Sequence, residues 1–402
     1  MRWFSMSQKL VDLNPDLRRL RDAGYNVDVQ AGYLLIGDIP YVDANKQVRR
    51  GLLVSELSMS GDRTQQPSTH VVHFAGDYPC TQEGKPIEAV RNQSQRQQLA
   101  PGIVVDHAFS SKPQKGHYDD YFEKMQTYAN ILTGYAQAVD PSVSPLFFSP
   151  LPASNDESVF HYVDTASSRA GIVQANQKLM LDKVAIVGLG GTGAYILDLL
   201  AKVPIAELHL FDGDKFLQHN AFRAPGAPSI AQLAEAPLKV DYLTSIYSRM
   251  RRGIVPHQGF VGRTEVQQLV EMDFVFLSLD SGPAKKMIIE TLQAQHKSFI
   301  DVGLGIELVD DVLTGMARVT TCTDAQQSHV WDCVSCADNA AENVYAKNIQ
   351  IAELNALNAS LAVIQWKKLR GFYFDPVPSF NSTYVVSTNR LLQDVVNREV
   401  AA

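Results

Sequence analysis

Six residues, Gly188-Leu189-Gly190-Gly191-Thr192-Gly193, stand between the apolar run Val184-Ala185-Ile186-Val187 and a second one that opens Ala194-Tyr195-Ile196-Leu197. A strand, a glycine turn and a helix start leave free backbone N–H groups and the positive end of a helix dipole where a phosphate can sit. Glycines at this spacing serve the tight turn, the close approach of ligand to backbone and helix–strand packing. Gly188, Gly190, Gly191 and Gly193 are therefore expected to bind a nucleotide. Alone they suit a dinucleotide as well as ATP.

The residues downstream separate those cases. Asp212, in Leu210-Phe211-Asp212-Gly213-Asp214, ends the next expected strand. A carboxylate there accepts hydrogen bonds from ribose hydroxyls. The plainer alternative is a turn residue, and Asp214 fits that description better than Asp212. Arg223 follows in His219-Asn220-Ala221-Phe222-Arg223, and Lys239 in Pro237-Leu238-Lys239-Val240. Two fixed cations near a nucleotide suit a triphosphate that must lose pyrophosphate, because they neutralise charge building on the phosphates. Asp280 closes the apolar run Phe274 to Leu279, and a carboxylate there suits Mg²⁺, which bridges phosphate oxygens. Either cation taken singly could be a surface charge; the ordered set carries the signal. An NAD-dependent oxidoreductase needs none of these cations and is the second reading. A non-catalytic scaffold that keeps the nucleotide fold is the third.

Strands expected at 183–187, 207–211, 273–279 and 298–302 alternate with helices at about 193–202, 237–250, 264–271 and 283–295, a pattern that implies a parallel sheet covered by helices. After Gly303 the pattern predicts an antiparallel hairpin around Asp310-Asp311. A long helix over 346–370 follows, with Ile349, Ala352, Leu354, Leu357, Leu361, Ile364 and Leu369 on its buried side. Before residue 140 the pattern is mixed: one helix over 10–23, strands within 26–36 and at 51–54 and 69–74, and a helix over 121–138. Proline and serine crowd residues 140–152 and mark a boundary. The expected fold is α/β and Rossmann-like, with a mostly parallel sheet, helices on both faces and an antiparallel C-terminal extension, plus a small α+β N-terminal domain. The expected divisions are an accessory domain at 1–140, a linker at 141–160 and a nucleotide-binding domain at 161–402.

Gly188-x-Gly190-Gly191-x-Gly193, Asp212-x-Asp214, Asn220-x-x-Arg223, Pro-Leu-Lys239-Val and Asp280 together resemble the adenylating domain of the ubiquitin-activating superfamily, whose bacterial members include ThiF, MoeB and HesA. The resemblance covers about residues 160–370. It implies ATP- and Mg²⁺-dependent adenylation of the C-terminal glycine of a ubiquitin-like or sulfur-carrier protein. It implies that Asp212 holds the ribose, that Asn220, Arg223 and Lys239 hold the phosphates, and that Asp280 binds the metal. It also implies a homodimer in which Arg169, from Ser167-Ser168-Arg169-Ala170-Gly171, reaches into the partner's ATP site. The separation of Arg223 from Lys239 is slightly longer than usual for the family and points to a loop insertion.

Many bacterial members of that family hold a structural zinc with two Cys-x-x-Cys pairs. Cys333-Val334-Ser335-Cys336 stands in place of the first, and nothing after it supplies a second. A closed zinc site needs four ligands, which His329 and Cys322 could complete. Alternatively Cys322, Cys333 or Cys336 takes the acyl group from the adenylate as a thioester, or the thiols are incidental. Four cysteines in 402 residues are no disulfide framework, which with the lack of a signal-like apolar start or a membrane-length apolar run leads us to expect a cytoplasmic protein. A net charge of −7 argues against nucleic acid as a partner. The densest basic spot, Arg249-Met250-Arg251-Arg252, reads as a solvated helix end. His70 and His73 lie three apart on a strand and so face opposite sides, which disfavours a shared metal; His107 and His117 read as surface residues. The N-terminal domain is expected to hold a protein substrate or a downstream conjugating enzyme.

Overall fold

The computed structural model describes residues 10–148, 150, 152–153, 158–280, 282–336 and 349–395. Residues 346–348 of the expected long helix, and 149, 151 and 154–157 of the expected boundary and linker, lie outside that set. The chain divides into two compact units, one containing residues up to 157 with 162–170, the other containing 158–161 and the chain from 171.

In the first unit an antiparallel sheet is built from β1 (Asn26–Gln30), β2 (Tyr33–Val42), β3 (Val48–Glu56), β6 (Val71–Ala75), β7 (Arg91–Ala100) and β8 (Ile103–Ser110), in the order β1-β2-β3-β6-β8-β7; a separate small hairpin joins β4 (Met59–Ser60) to β5 (Arg63–Thr64). Helix α1 (Pro15–Ala23) precedes the sheet and α2 (Tyr121–Val139) follows it. Asp120 caps α2 by accepting the Glu123 N–H at 2.8 Å. Tyr121, Met125, Tyr128, Ala129 and Leu132 of α2 are buried in one core with Leu34, Ile36, Leu53 and Phe74 of the sheet. The helix expected over 10–23 is broken at Asn14, whose backbone is extended, and restarts at Pro15. Proline suits the first helical position because the N–H it lacks has no partner there. The β7–β8 pair is absent from the sequence expectation. Arg91 to Gln98 are polar and exposed, and the pairing slips register three times, so no alternation marks the strand. His107 is half-buried in β8 and packs edge-on against Tyr78 at 5.1 Å, a correction to the expected surface position.

The second unit carries an eight-stranded sheet in the order β11-β10-β9-β12-β13-β14-β15-β16. β9 (Lys183–Val187), β10 (Glu207–Asp212), β11 (Ile254–Gln258), β12 (Phe274–Leu277) and β13 (Phe299–Val309) run parallel; β14 (Val312–Cys322), β15 (Ser379–Val385) and β16 (Arg390–Val395) extend it antiparallel. The period of two explains why helices cover both faces. Val184 and Ile186 enter one core with Leu197 and Leu243, while Ala185 and Val187 enter the other with Leu269 and Ile288. The helices concerned are α5 (Gly191–Leu200), α8 (Lys239–Tyr247), α9 (Val266–Val270) and α10 (Pro283–Ala294); shorter ones are α3 (Thr165–Ala170, in the first unit), α4 (Val173–Gln177), α6 (Gln218–Ala221), α7 (Ile230–Ala234) and α11 (Val330–Cys333). The Rossmann-like α/β class with its antiparallel extension and separate α+β unit is the observed fold. Edge strand β11 escaped the sequence pattern because only half-buried and exposed residues compose it.

Two sequence expectations fail here. The long helix, α12 (Ala352–Leu369), buries Asn355, Asn358, Ala359, Ala362, Val363 and Trp366, whereas Ile364 and Leu369 are exposed. Its buried face is formed by Asn355 against the glycine turn, Asn358 donating to the Gly303 carbonyl, and Ala359, Ala362, Val363 and Trp366 in the core, not by the leucine stripe. The basic cluster is not a solvated helix end either. Arg251 is 1% exposed and donates to the carbonyls of Val203, Ile205, Ala206 and Arg252. Burial pushes its guanidinium down to about 10.

Candidate nucleotide site

In the sheet order the chain leaves β9 for β10 on one side and later returns to β12 on the other. Open α/β sheets bind ligands at such a reversal, beyond the carboxyl ends of the strands. The glycine turn lies there. Gly188 has φ +87°, and a Cβ on it would stand 2.4 Å from the Ser278 carbonyl oxygen that follows β12. Its N–H donates to the Phe211 carbonyl at 2.8 Å. Gly191 begins α5, and the Asn355 amide fills the space its Cβ would need, at 2.0 Å. Asn355 also accepts the Thr192 hydroxyl at 2.9 Å and reaches the Arg223 carbonyl at 3.3 Å. Gly193 lies within the same first helical turn.

A cavity of about 400 Å³ opens at this point. Gly188, Gly190, Asp212, Asp214, Arg223, Lys239 and Asp280, seven residues singled out by sequence from five separate segments, all line it. Asp212 accepts the Leu189 N–H at 2.7 Å and the Asp214 N–H at 2.8 Å. Lys239 is buried at the start of α8, with Nζ 2.7 Å from Asp214 and 3.6 Å from Asp212. Arg223 Nε is buried and has no hydrogen-bond partner among the described residues, as a cation awaiting an anionic ligand would be. The donor set suits Mg²⁺, which takes one or two carboxylates plus phosphate oxygens and water; Asp280 would supply the carboxylate. The loop between Arg223 and Lys239 contains α7, closed by a Ser229–Gln232 capping box.

Other predicted residues lie elsewhere. Asn220 is buried, and its Oδ1 accepts the Leu217 N–H at 2.8 Å; it is not among the residues lining the cavity. Arg169 belongs to the first unit, where it is exposed and donates to the Asp22 carbonyl. Gln350 and Phe260 were missed by sequence reasoning. Gln350 Oε1 accepts the Gly191 N–H at 3.3 Å, and the largely exposed Phe260 ring lies on the cavity wall. Neither belongs to a recognisable motif.

A second cavity of about 590 Å³ shares Ser278, Leu279, Asp280, Lys285 and Gln350 with the first. Cys333 lines it. Cys322 is fully buried in a hydrophobic core, which pushes its thiol up to about 11. Cys336 packs against the same core, and burial raises the Cys333 and Cys336 thiols as well. His329 Nε2 lies 2.9 Å from the Thr321 carbonyl oxygen. Among the described residues no group of three or more His, Cys, Asp or Glu is placed to hold a metal by itself, and no helix is long and apolar enough to cross a membrane.

A Rossmann-type sheet with acid and cationic side chains around its glycine turn defines a nucleotide-binding protein. The chain belongs to the ThiF family, whose model matches residues 166–387, and a domain of unknown function, DUF6791, matches residues 15–165. Membership supports an ATP-dependent adenylyltransferase. Similar solved structures include Escherichia coli MccB with MccA-N7isoASN, at 18% identity over 59% of this chain and 71% of that one with a TM-score of 0.46. They also include PaaA, at 17% identity over 55% and 75% with a TM-score of 0.42, and E. coli MccB with ATP, at 19% identity over 57% and 68% with a TM-score of 0.45. No curated protein matches the chain.

Proposed function

We propose that this protein adenylates the C-terminal glycine carboxylate of a ubiquitin-like or sulfur-carrier protein. ATP occupies the cavity at the glycine turn, with its phosphates toward the N-terminus of α5. A carboxylate oxygen of the substrate attacks the α-phosphorus, the bond to the bridging oxygen breaks, and pyrophosphate leaves. Arg223 and Lys239 neutralise the charge that builds on the departing group, and Asp212 orients the ribose. Mg²⁺ held by Asp280 would screen the phosphate oxygens. No side chain need attack in this step, so positioning and charge supply the rate. The observation that carries this function is the convergence of Arg223, Lys239 and Asp280 on one cavity with Asp212 and the glycine turn.

Residues 161–402 would form the adenylation domain, and residues 1–140 an accessory domain that holds the protein substrate or a downstream conjugating enzyme, joined by residues 141–160. The enzyme would act in the cytoplasm as a homodimer, Arg169 completing the partner's site. Cys333, at the wall of the second cavity, is the candidate thioester cysteine: its thiol loses a proton, its sulfur attacks the acyl carbon and AMP leaves.

ATP–pyrophosphate exchange with ubiquitin-like and sulfur-carrier proteins ending in glycine tests this. Exchange that depends on such a carrier is expected. Thermal protection by a nicotinamide dinucleotide and none by ATP would instead establish the oxidoreductase alternative.

A further inference from the structure

The wall that the two cavities share carries Lys285 and Asp280. Lys285 lines both cavities, whereas Arg318 lines the second and not the first. Asp301 stands between them, with Oδ1 2.7 Å from Lys285 Nζ and Oδ2 bonded to Arg318 Nη2. The Asp301 side chain is 0% exposed, that of Lys285 4% and that of Arg318 16%. Two cations thus share one carboxylate, and one positive charge is left without a counterion in that trio. A charge held away from water is costly unless an opposite charge completes it. Among the described residues the other hydrogen bonds of the two cations go to neutral groups: Lys285 Nζ donates to the Leu279 carbonyl at 3.2 Å, and Arg318 Nη1 donates to Thr320 Oγ1. Asp280 is on the same wall but is exposed and lines the nucleotide cavity as well, where the proposed function commits it to the metal.

The place of the guanidinium is built into the sheet. Gly303 pairs with Arg318 across β13 and β14, and a Cβ on Gly303 would stand 2.9 Å from Arg318 Nη2. The planar fork of an arginine matches a carboxylate with two parallel hydrogen bonds. A phosphate is the other anion such a pair could take. The cations suited to phosphate, Arg223 and Lys239, line the first cavity and not the second, so the second cavity is left for the acyl partner.

We propose that Lys285 and Arg318, fixed by Asp301, seat the carboxylate of the incoming substrate in the second cavity, so that it meets the nucleotide across the shared wall. The direction of reaction rests on the adenylation reading; the seat itself is a binding property that can be measured separately. Lys285 and Arg318 act here as positioning residues.

The test titrates the full-length protein calorimetrically with N-acetylglycylglycine and with its C-terminal amide, each with and without α,β-methylene-ATP. The acid is expected to bind at least about tenfold more tightly than the amide, as charge-assisted pairing requires. Arg318→Ala should abolish that preference, and Arg318→Lys should restore part of it. Affinity for the ATP analogue and for inorganic pyrophosphate should change less than about twofold, since Arg318 is outside the first cavity. If Arg318→Ala does not fold, Gly303→Ala, which displaces the guanidinium without removing it, carries the same expectation. Equal binding of acid and amide, binding of neither, or a preference that survives these variants overturns the seat. Weaker pyrophosphate binding by Arg318→Ala with the acid unaffected assigns the pair to the leaving group and also overturns it. Failure of the wild type to bind the ATP analogue sinks the adenylation reading instead, and the acid–amide comparison without nucleotide still decides the seat.

Discussion

The Asp212 carboxylate accepts the Leu189 backbone N–H at 2.7 Å. One hydrogen bond thereby ties the end of β10 to the glycine turn after β9. The same carboxylate takes the Asp214 N–H and faces Lys239, so one buried acid holds three parts of the cradle in register. Asp212→Ala should lower stability by about 1–3 kcal/mol, the cost of leaving buried donors unsatisfied, besides weakening nucleotide binding. Urea unfolding of the two proteins measures this, and an unchanged midpoint would show that the turn holds itself.

Arg223 offers the opposite case. Its buried Nε has no partner among the described residues, so Arg223→Ala should leave the melting temperature nearly unchanged. Loss of a charged hydrogen bond should weaken ATP binding by about 1.5–3 kcal/mol, roughly 10- to 100-fold, and should suppress pyrophosphate exchange further, by about 100-fold or more. Near-normal exchange would remove Arg223 from the site.

Gly191 and Asn355 occupy one space. Gly191→Ala should cost about 1–3 kcal/mol through overpacking and push α12 off the turn. Asn355→Ala should relieve that clash, so the double variant should lose less stability than the two single losses added together. Strict additivity in a double-mutant cycle would mean that the helix and the turn do not press on each other.

Burial pushes the Lys124 ammonium down to about 8 from its ordinary 10.5, partly offset by Glu56. Its Nζ donates to Ser55 Oγ at 2.8 Å in the first unit's interior. Between about pH 8 and 10.5 the unfolded chain keeps this proton while the folded chain releases it. Stability should therefore rise with pH through that window, by up to about 3 kcal/mol. Below pH 8 both states are charged and the folded state bears the whole cost. Lys124→Met should flatten the rise, measured as denaturation midpoints at pH 7 to 10; a slope that persists in that variant would exclude Lys124 as its origin.

Much of the second unit was legible in one dimension. Strand–helix alternation and the ordered acids and cations follow from hydrophobic period and from what phosphate chemistry requires, and both are local properties of the chain. The hairpin at Asp310-Asp311 was legible for the same reason: two residues in the left-handed region (φ 50° and 61°) between apolar strands. Strands β7, β8 and β11 left little or no periodic trace, because their edge positions or irregular pairing do not demand alternation.

Side-chain company was decided in three dimensions only. Asn355 is buried because it meets Gly191, and Arg251 because three residues of a distant turn, Val203, Ile205 and Ala206, and its own neighbour Arg252 present carbonyls to it. Asp301 gathers Lys285 from a helix and Arg318 from the next strand, and nothing in their spacing foretells that trio. Sequence alone singled out seven residues that line one cavity, since the glycine turn, Asp212 and Asp280 sit at strand ends whose order the alternation implies. The second cavity and the Lys285–Asp301–Arg318 trio at its wall arise from contacts between segments far apart along the chain, where desolvation and packing, not local preference, set which groups meet.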